Sequence, residues 1–508
     1  MNENTRPAPH DLMDSMLQLR NEVFKDGRQI YERWEPGIKV ESFEGSAKNL
    51  AYYLALRRRD IRELQEELSN WGLSSLGRLE SRTLSSIDAV IVCLAALCDR
   101  KDEIIKYPKA KSFRLGKRQL HTNAENLFGK RPEHRYSSIM QTLSVEGAED
   151  SKLVKNLLNS GCNIIRINCA HDDPEVWGAI IKNVRKIAAE LGVDCRIHMD
   201  IAGPKARTDW VLSSQRNDKL MVGDKIYLTH SQVAKNNPEF KVQMACSLPG
   251  LLEDVEIGEP ILLDDGVVEG EVLAKDKEGV IIEIKKTDKV SGVRIKADKG
   301  LNFPKTQLNL PVITEKDEKD LDFVVHNSDI IGFSFIKNVE DMKRCYDEID
   351  KRLEPGERYP GVIAKIETMQ GVNNLPDIIA YAAGRSDFGV MVARGDLAIE
   401  TGYIRLAELQ QQILWICEAA DVPTIWATEV LDNMVTSGIP TRAEVTDAAE
   451  GGARSECVML NRGSYAADAV SFLAELLERM EQNIHKKSPL LRALNIAKQV
   501  ELDDESED

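Results

Sequence analysis

Five places in the chain put a charged or hydroxyl residue at the carboxyl end of a short β-branched run: Arg166-Ile167-Asn168, Asp200, Lys365-Ile366-Glu367, Arg394-Gly395-Asp396 and Thr428. Singly, each reads as a salt bridge or a cap for the next helix. Together they offer Arg166 and Lys365 as cations, Asp200, Glu367 and Asp396 as carboxylates, and Thr428 as a hydroxyl. Lys365 and Glu367 are two apart, so on a strand they point the same way. A hard divalent ion such as Mg²⁺ takes one or two carboxylates plus substrate oxygens, which suits Glu367 and Asp396 with Lys365 facing a phosphoryl group. Gly395 stands where a helix can begin, leaving backbone N–H groups for an anion. There is no Gly-Lys-Ser/Thr loop, G-x-S-x-G elbow or H-E-x-x-H motif.

These side chains can share one ligand only if their strands end on one face. From Ser137 onward, β-branched runs alternate with helical stretches, the pattern of parallel strands joined by crossover helices. The runs are Ile139–Leu143, Asn163–Asn168, Arg196–Asp200, Asp329–Phe335, Val362–Glu367, Gly389–Ala393, Thr424–Thr428 and Cys457–Leu460. Eight strand–helix repeats predict an α/β fold, a (β/α)₈ TIM barrel whose strand ends form the site. The barrel is expected over residues 133–208 and 299–498. Alternating patterns at Lys225–Leu228, Pro260–Leu263 and Val280–Ile284 predict a small inserted β-barrel domain over 209–298. Residues 1–132 read as an amino-terminal helical domain of unassigned role, with apolar positions Leu54, Ile61, Leu64 and Leu68 on one face and a second set, Ile87 to Leu97, forming a buried helix. Arg57 to Arg59 read as a solvated basic face, Lys109 to Arg135 as a linker, and residues 499–508 as a disordered acidic tail.

The formal charge of -16 argues against nucleic acid as a partner. No apolar run approaches the roughly 18 residues of a membrane span; the longest, Ala89 to Cys98, reads as a buried helix. Nine cysteines without a C-x-x-C pair fit reduced thiols. Met1 to Pro9 carry no basic stretch leading into an apolar core, so a cytoplasmic location is expected.

Four segments resemble the signatures of the pyruvate kinase family: Met391 to Glu400 (MVARGDLAIE), Ala364-Lys365-Ile366-Glu367, Pro440-Thr441-Arg442-Ala443-Glu444 and Arg166-Ile167-Asn168-Cys169-Ala170-His171. The resemblance covers about Ser137 to Ala497, including the turn Asp264-Asp265-Gly266 and the exit Lys299-Gly300-Leu301-Asn302-Phe303-Pro304, and leaves out the first 130 or so residues. It implies transfer of the phosphoryl group of phosphoenolpyruvate to ADP, giving pyruvate and ATP, with Mg²⁺ as the metal and Mn²⁺ as a substitute. Arg166 would hold the substrate phosphate and Lys365 the phosphoryl in transit. Glu367 and Asp396 would bind the metal. The backbone near Gly395 and Thr428 would hold the carboxylate, with Thr428 where the enolate is protonated. Asn168, His171, Arg207 and Lys299 match nucleotide-side positions. A homo-oligomer is expected.

The departures from the family pattern carry their own expectations. Ala170 replaces a usual serine, and the usual Asp-Thr-Lys-Gly-Pro-Glu appears as Asp200-Ile201-Ala202-Gly203-Pro204-Lys205, so oxygen ligands for K⁺ are altered and Lys205 supplies a tethered cation instead. K⁺ is therefore expected not to be required. The usual Thr-Ile-Gly-Pro and Met-Leu-Ser-Gly-Glu runs appear as Thr142-Leu143-Ser144-Val145 and Met459-Leu460-Asn461-Arg462-Gly463, which touches nucleotide binding. The chain ends where the family's regulatory domain would start, so control through that domain is expected to be absent. Two other readings stay open: a lyase or aldolase acting on a Mg²⁺-bound enolate on the same barrel, and a non-catalytic metabolite-binding regulator.

Overall fold

The computed structural model describes residues 8–100, 105–248, 250–306 and 310–486, and the backbone at 488 and 489. The acidic tail at 499–508 lies outside the described residues.

Fifteen strands build two sheets. The first three are β1 (Ser138–Leu143), β2 (Ile164–Asn168) and β3 (Arg196–Ile201). The next seven are β4 (Thr208–Ser213), β5 (Lys225–Thr229), β6 (Val242–Cys246), β7 (Pro260–Leu263), β8 (Val268–Lys275), β9 (Gly279–Thr287) and β10 (Leu301–Asn302). The last five are β11 (Ile330–Phe333), β12 (Gly361–Ile366), β13 (Phe388–Ala393), β14 (Thr424–Ala427) and β15 (Cys457–Leu460). Strands β1 to β3 and β11 to β15 pair in parallel as a closed eight-stranded barrel, ordered β1-β15-β14-β13-β12-β11-β3-β2. All eight expected runs are strands, with four trimmed: Asn163 and Asp329 precede their strands, and Glu367, Thr428 and the pair Ser334-Phe335 follow theirs. Phe335 (φ 57°) and Thr428 (φ 71°) have left-handed backbones, which ends their strands at Phe333 and Ala427.

Strand alternation divides the barrel interior along its axis. At the amino ends of the strands it is filled by Met140, Ile164, Ile330, Ile363, Met391 and Ile425. Two residues further along the same faces come Thr142, Arg166 and Lys365. One end of the cylinder is hydrocarbon and the other is charged. The hydrocarbon end is plugged by Leu127 and Phe128, which belong to the same buried cluster. Gly361 and Gly389 make room for the plug: a Cβ on either would stand 2.4 or 2.7 Å from a methyl of Leu127.

That plug corrects the linker reading of Lys109 to Arg135. Residues Leu115–Phe128 form a helix, preceded by the helices Pro9–Trp34 (α1), Glu44–Arg57 (α2), Arg62–Asn70 (α3) and Thr83–Leu97 (α4), so it is α5. Arg118 and Asn126 are exposed, Asn123 donates to the Asp421 carbonyl at 2.7 Å, and Leu120, Leu127 and Phe128 are buried. The amino-terminal helices share one continuous core with the barrel: Met13, Met16, Leu50, Ile87 and Ile91 lie in the same cluster as Ile378, Ile379, Leu409 and Ile413 of the barrel helices Leu375–Ala383 and Tyr403–Ala419. Polar contacts pin the seam. Asn49 Nδ2 donates to the Ala419 carbonyl at 2.7 Å, Ser46 Oγ to Asp421 Oδ2 at 2.7 Å, and Trp34 Nε1 to Asp377 at 2.6 Å. The basic run is also committed: Arg57 lies 4.8 Å from the Trp415 ring centroid and Arg59 bridges Glu22 and Asp26.

Strands β4 to β10 form a separate seven-stranded sheet, ordered β10-β7-β8-β9-β5-β6-β4, around its own core of Ile226, Leu228, Ile261, Val280 and Ile282. A bridge between Arg207 and Gly300 ties the chain segments entering and leaving it. This insertion follows β3, at the charged end of the barrel.

Candidate active site

At that end, β2, β3 and β12 present Arg166, Asp200 and Lys365 to one another. Arg166 donates Nε to Asp200 Oδ2 at 2.6 Å and Nη1 to Thr142 Oγ1 at 3.0 Å. Lys365 Nζ donates to Ser334 Oγ at 2.7 Å and lies 3.4 Å from Glu367 Oε1 and 3.8 Å from Asp200 Oδ2. All four charged groups are buried. Burial opposes the charge on Asp200, but Arg166, Lys365 and His198 outweigh it and hold the carboxyl well below its usual range. Burial likewise opposes the Lys365 ammonium, and Asp200 and Glu367 overcome it, so its pKa is raised. Glu367 goes the other way: burial lifts its carboxyl, Lys365 counters, and nearby Asp396 adds to the rise.

Asp396 lies in the first turn of the helix Arg394–Thr401, directly after β13. Lys205 Nζ reaches its Oδ1 at 2.8 Å and lies 3.8 Å from Asp265, in the turn between β7 and β8 of the inserted sheet. Lys205 is thus brought into the site from the chain leaving β3. Gly395 is required by a close approach: a Cβ there would stand 2.7 Å from Thr428 Cγ2. Thr428 is held in its left-handed conformation by Arg394, whose Nη2 donates to the Thr428 carbonyl at 2.6 Å while its guanidinium pairs with Asp447 and stacks 4.3 Å from the Trp426 ring centroid. Arg394 therefore braces the mouth from behind, with its charge already matched.

The nucleotide-side expectations fall on one rim. Asn168 Oδ1 accepts from the Ala170 N–H at 3.2 Å. His171 follows in the same loop, its pKa lowered first by burial and then by Arg462 and Arg207. Arg207 is paired with Asp298 at 3.4 Å and Lys299 with Asp264 at 2.9 Å, so both lie where the insertion joins the barrel. The divergent segments after β1 and β15 meet here, with Arg462 Nη1 donating to Ser144 Oγ at 3.2 Å. The signature Pro440 to Glu444 has a scaffolding part: Thr441 and Glu444 form a reciprocal capping box, and Glu444 also accepts the Asn433 N–H at 2.7 Å.

Sequence reasoning missed Ser334, Phe335 and His198, and named Thr142 and Arg462 only within divergent runs, without a contact for either. The Phe335 N–H donates to Glu367 Oε2 at 2.5 Å, and Ser334 Oγ relays Lys365 to the Ile201 carbonyl. His198 Nε2 contacts Asp200 Oδ1 at 2.7 Å inside the barrel. The signal for His198 was present: it stands two before Asp200 on one strand and so shares its face. Gly332 makes the space, since a Cβ there would stand 2.1 Å from Asp200 Oδ1.

A family model described as pyruvate kinase, barrel domain, matches residues 134–470. Among curated relatives, pyruvate kinase of Bacillus licheniformis is 32% identical over 365 residues, covering 70% of this chain and 58% of that protein. Pyruvate kinase of Geobacillus stearothermophilus is 34% identical, with 70% and 59% covered. Pyruvate kinase 2 of Trypanosoma brucei brucei is 31% identical, with 72% and 71% covered. The chain thus spans less than two thirds of the length of the two bacterial relatives. A crystal structure of a pyruvate kinase from Cryptosporidium parvum superposes with a TM-score of 0.62 at 28% identity, covering 71% of this chain and 73% of that one.

Proposed function

The chain belongs to the pyruvate kinase family, and from that premise we propose that it moves the phosphoryl group of phosphoenolpyruvate to ADP, yielding pyruvate and ATP. The observation that carries the reading is Lys365: a buried ammonium fixed by Ser334, Asp200 and Glu367 beside a carboxylate pair. A preorganised cation is worth most where charge moves in a transition state. Arg166, oriented by Asp200 and Thr142, holds the substrate phosphate before transfer, and Lys365 meets the charge as it shifts. Backbone N–H groups of the first turn at Gly395, with Thr428 beside them, hold the carboxylate. Thr428 lies where the enolate carbon gains its proton. Asn168, His171, Arg207 and Lys299 face the nucleotide, with Arg462 adding a cation near His171.

Mg²⁺, or Mn²⁺ in its place, suits Glu367 and Asp396: two hard oxygen donors without histidine or thiol, leaving positions for substrate oxygens. Bound there, the metal would neutralise developing phosphate charge. We further propose that no K⁺ is needed, because Lys205 stands at hydrogen-bond distance from Asp396 and both oxygens of Asp200 are engaged by Arg166 and His198. All nine cysteines are free, in keeping with a cytoplasmic setting.

The test is a lactate-dehydrogenase-coupled assay with phosphoenolpyruvate, ADP and Mg²⁺. Pyruvate production that depends on ADP is expected. Binding of phosphoenolpyruvate without turnover would support a regulator, and pyruvate release from a carboxylated or aldol substrate alone would support a lyase; retention of both Arg166 and Lys365 favours the phosphoryl substrate.

A further inference from the structure

A second cavity, of about 380 Å³, opens at the hydrocarbon end of the barrel, between α5, the segment leading into β1, the start of β15 and the chain after the helix Ala466–Glu481. Tyr136 lines it. Arg131 Cζ lies 4.7 Å and Lys117 Nζ 5.4 Å from the Tyr136 ring centroid. The imidazoles of His485 and His121 lie 4.5 and 5.3 Å from the same ring.

The acids that face this group are engaged elsewhere. Glu456 accepts from the Thr424 N–H and Oγ1 at 2.9 and 3.1 Å and pairs with Lys486. Glu481 accepts the backbone N–H groups of Tyr136 and Ser137. Glu80 and Glu418 have partners of their own, and Glu125 is exposed on the rim. Among the described residues, neither Lys117 nor Arg131 has a carboxylate within ion-pair distance; the ring face is their partner. A cation left on an aromatic face is weakly held compared with one on a phosphate.

We propose that this cavity is a binding site for a small phosphorylated metabolite, with its phosphate taken by Lys117 and Arg131 and its body laid against Tyr136. The volume lies within the range of small-ligand sites. Desolvation and mutual repulsion point the same way. Burial first, then Lys117, Lys486, His121 and Arg131, lower His485 to about 3, and His121 and Lys117 are lowered by the same surroundings. The protonated forms of His485, His121 and Lys117 are thus opposed first by burial and then by neighbouring cations, and a bound phosphate counters the second of these. Lys117 and His121 on α5, and Arg131 after it, precede the span 134–470 matched by the family model, while Tyr136 and Glu456 lie within it, so the cavity is built where the amino-terminal segment meets the barrel. It lies at the start of β1, whose other end carries Thr142 and its contact with Arg166.

Inorganic pyrophosphate, added without Mg²⁺ to the full-length protein, is the probe, and histidine-selective NMR the readout, with His121 and His485 assigned through His→Gln variants. The midpoint of His485 should rise by about one unit or more when pyrophosphate binds. Lys117→Gln and Arg131→Gln, both at solvent-accessible positions, should each weaken that response about tenfold or more. Unmoved midpoints of both histidines at about 10 mM pyrophosphate, beyond millimolar affinity, would overturn the proposal, as would unchanged affinity in both variants. A His485 midpoint already high in the unliganded chain, and lowered by deleting residues 499–508, would assign the cavity to the chain's own acidic end and equally overturn it.

Discussion

Lys205 Nζ stands 2.8 Å from Asp396 Oδ1, joining the chain that leaves β3 to the helix that follows β13. The contact puts a covalently attached positive charge beside the carboxylates. Turnover should therefore be complete in buffers whose only monovalent cation is tetramethylammonium, and should change by less than about twofold on adding K⁺ at constant ionic strength. Lys205→Glu should lose about tenfold or more and regain part of it with K⁺. A severalfold K⁺ activation of the unmodified protein would refute the assignment.

Lys365→Met should preserve the fold and lower kcat by roughly 10²–10³, the usual cost of one well-placed electrostatic donor. Single-turnover kinetics with phosphoenolpyruvate and ADP checks this. Retention of more than about a tenth of the rate would leave Lys365 outside the transition state.

Glu367→Gln removes one charged oxygen donor while keeping the acceptor of the Phe335 N–H. The Mg²⁺ concentration for half-maximal rate should rise by about tenfold or more. An unchanged metal titration would show that Glu367 is not a ligand.

Asp421, in the seam between α2 and the barrel, is raised to about 7, first by burial and then by Glu418, with the Ser46 hydroxyl opposing. The unfolded chain ionises it near 3.8. The folded state therefore binds more protons between those values, and this residue's contribution to stability falls as pH rises from about 4 to about 7. Above pH 7 the full penalty applies, at most roughly 4 kcal/mol. Asp421→Asn should raise Tm at pH 8, change it little at pH 4, and flatten the profile between. A fall in Tm at pH 8 would show that the carboxylate is accommodated.

Deleting residues 1–131 should give insoluble protein, because it uncovers the barrel helices Leu375–Ala383 and Tyr403–Ala419 and removes Leu127 and Phe128 from the barrel interior. Leu127→Ala in the full chain should cost about 2–5 kcal/mol, read by urea denaturation. A soluble, active truncation would mean that the barrel closes without its plug.

Period-two alternation and strand length made the barrel legible, because each strand must bury one face inside the cylinder and the other under helices. The cluster of charges at the barrel mouth was legible for the same reason: Arg166, Lys365, Glu367 and Asp396 are charged where a strand ends. Ser334 and Phe335 were hidden because their contribution comes from one hydroxyl and one backbone N–H, which residue type does not announce. Helix α5 was hidden by composition, its buried Leu120, Leu127 and Phe128 being set among Lys117, Arg118, Asn123 and Asn126. The meeting of Ser144 with Arg462 is a tertiary fact, formed by two divergent segments far apart in the chain.

The plug formed by Leu127 and Phe128 also bears on how the chain folds. These residues leave the ribosome before any barrel strand, yet the glycines that admit Leu127 lie on β12 and β13, late in the chain. The cylinder must close around a peg supplied in advance, through contacts of long sequence separation that slow folding. Until β12 and β13 emerge, two large apolar side chains wait uncovered, and the nascent chain is most prone to aggregate in that interval.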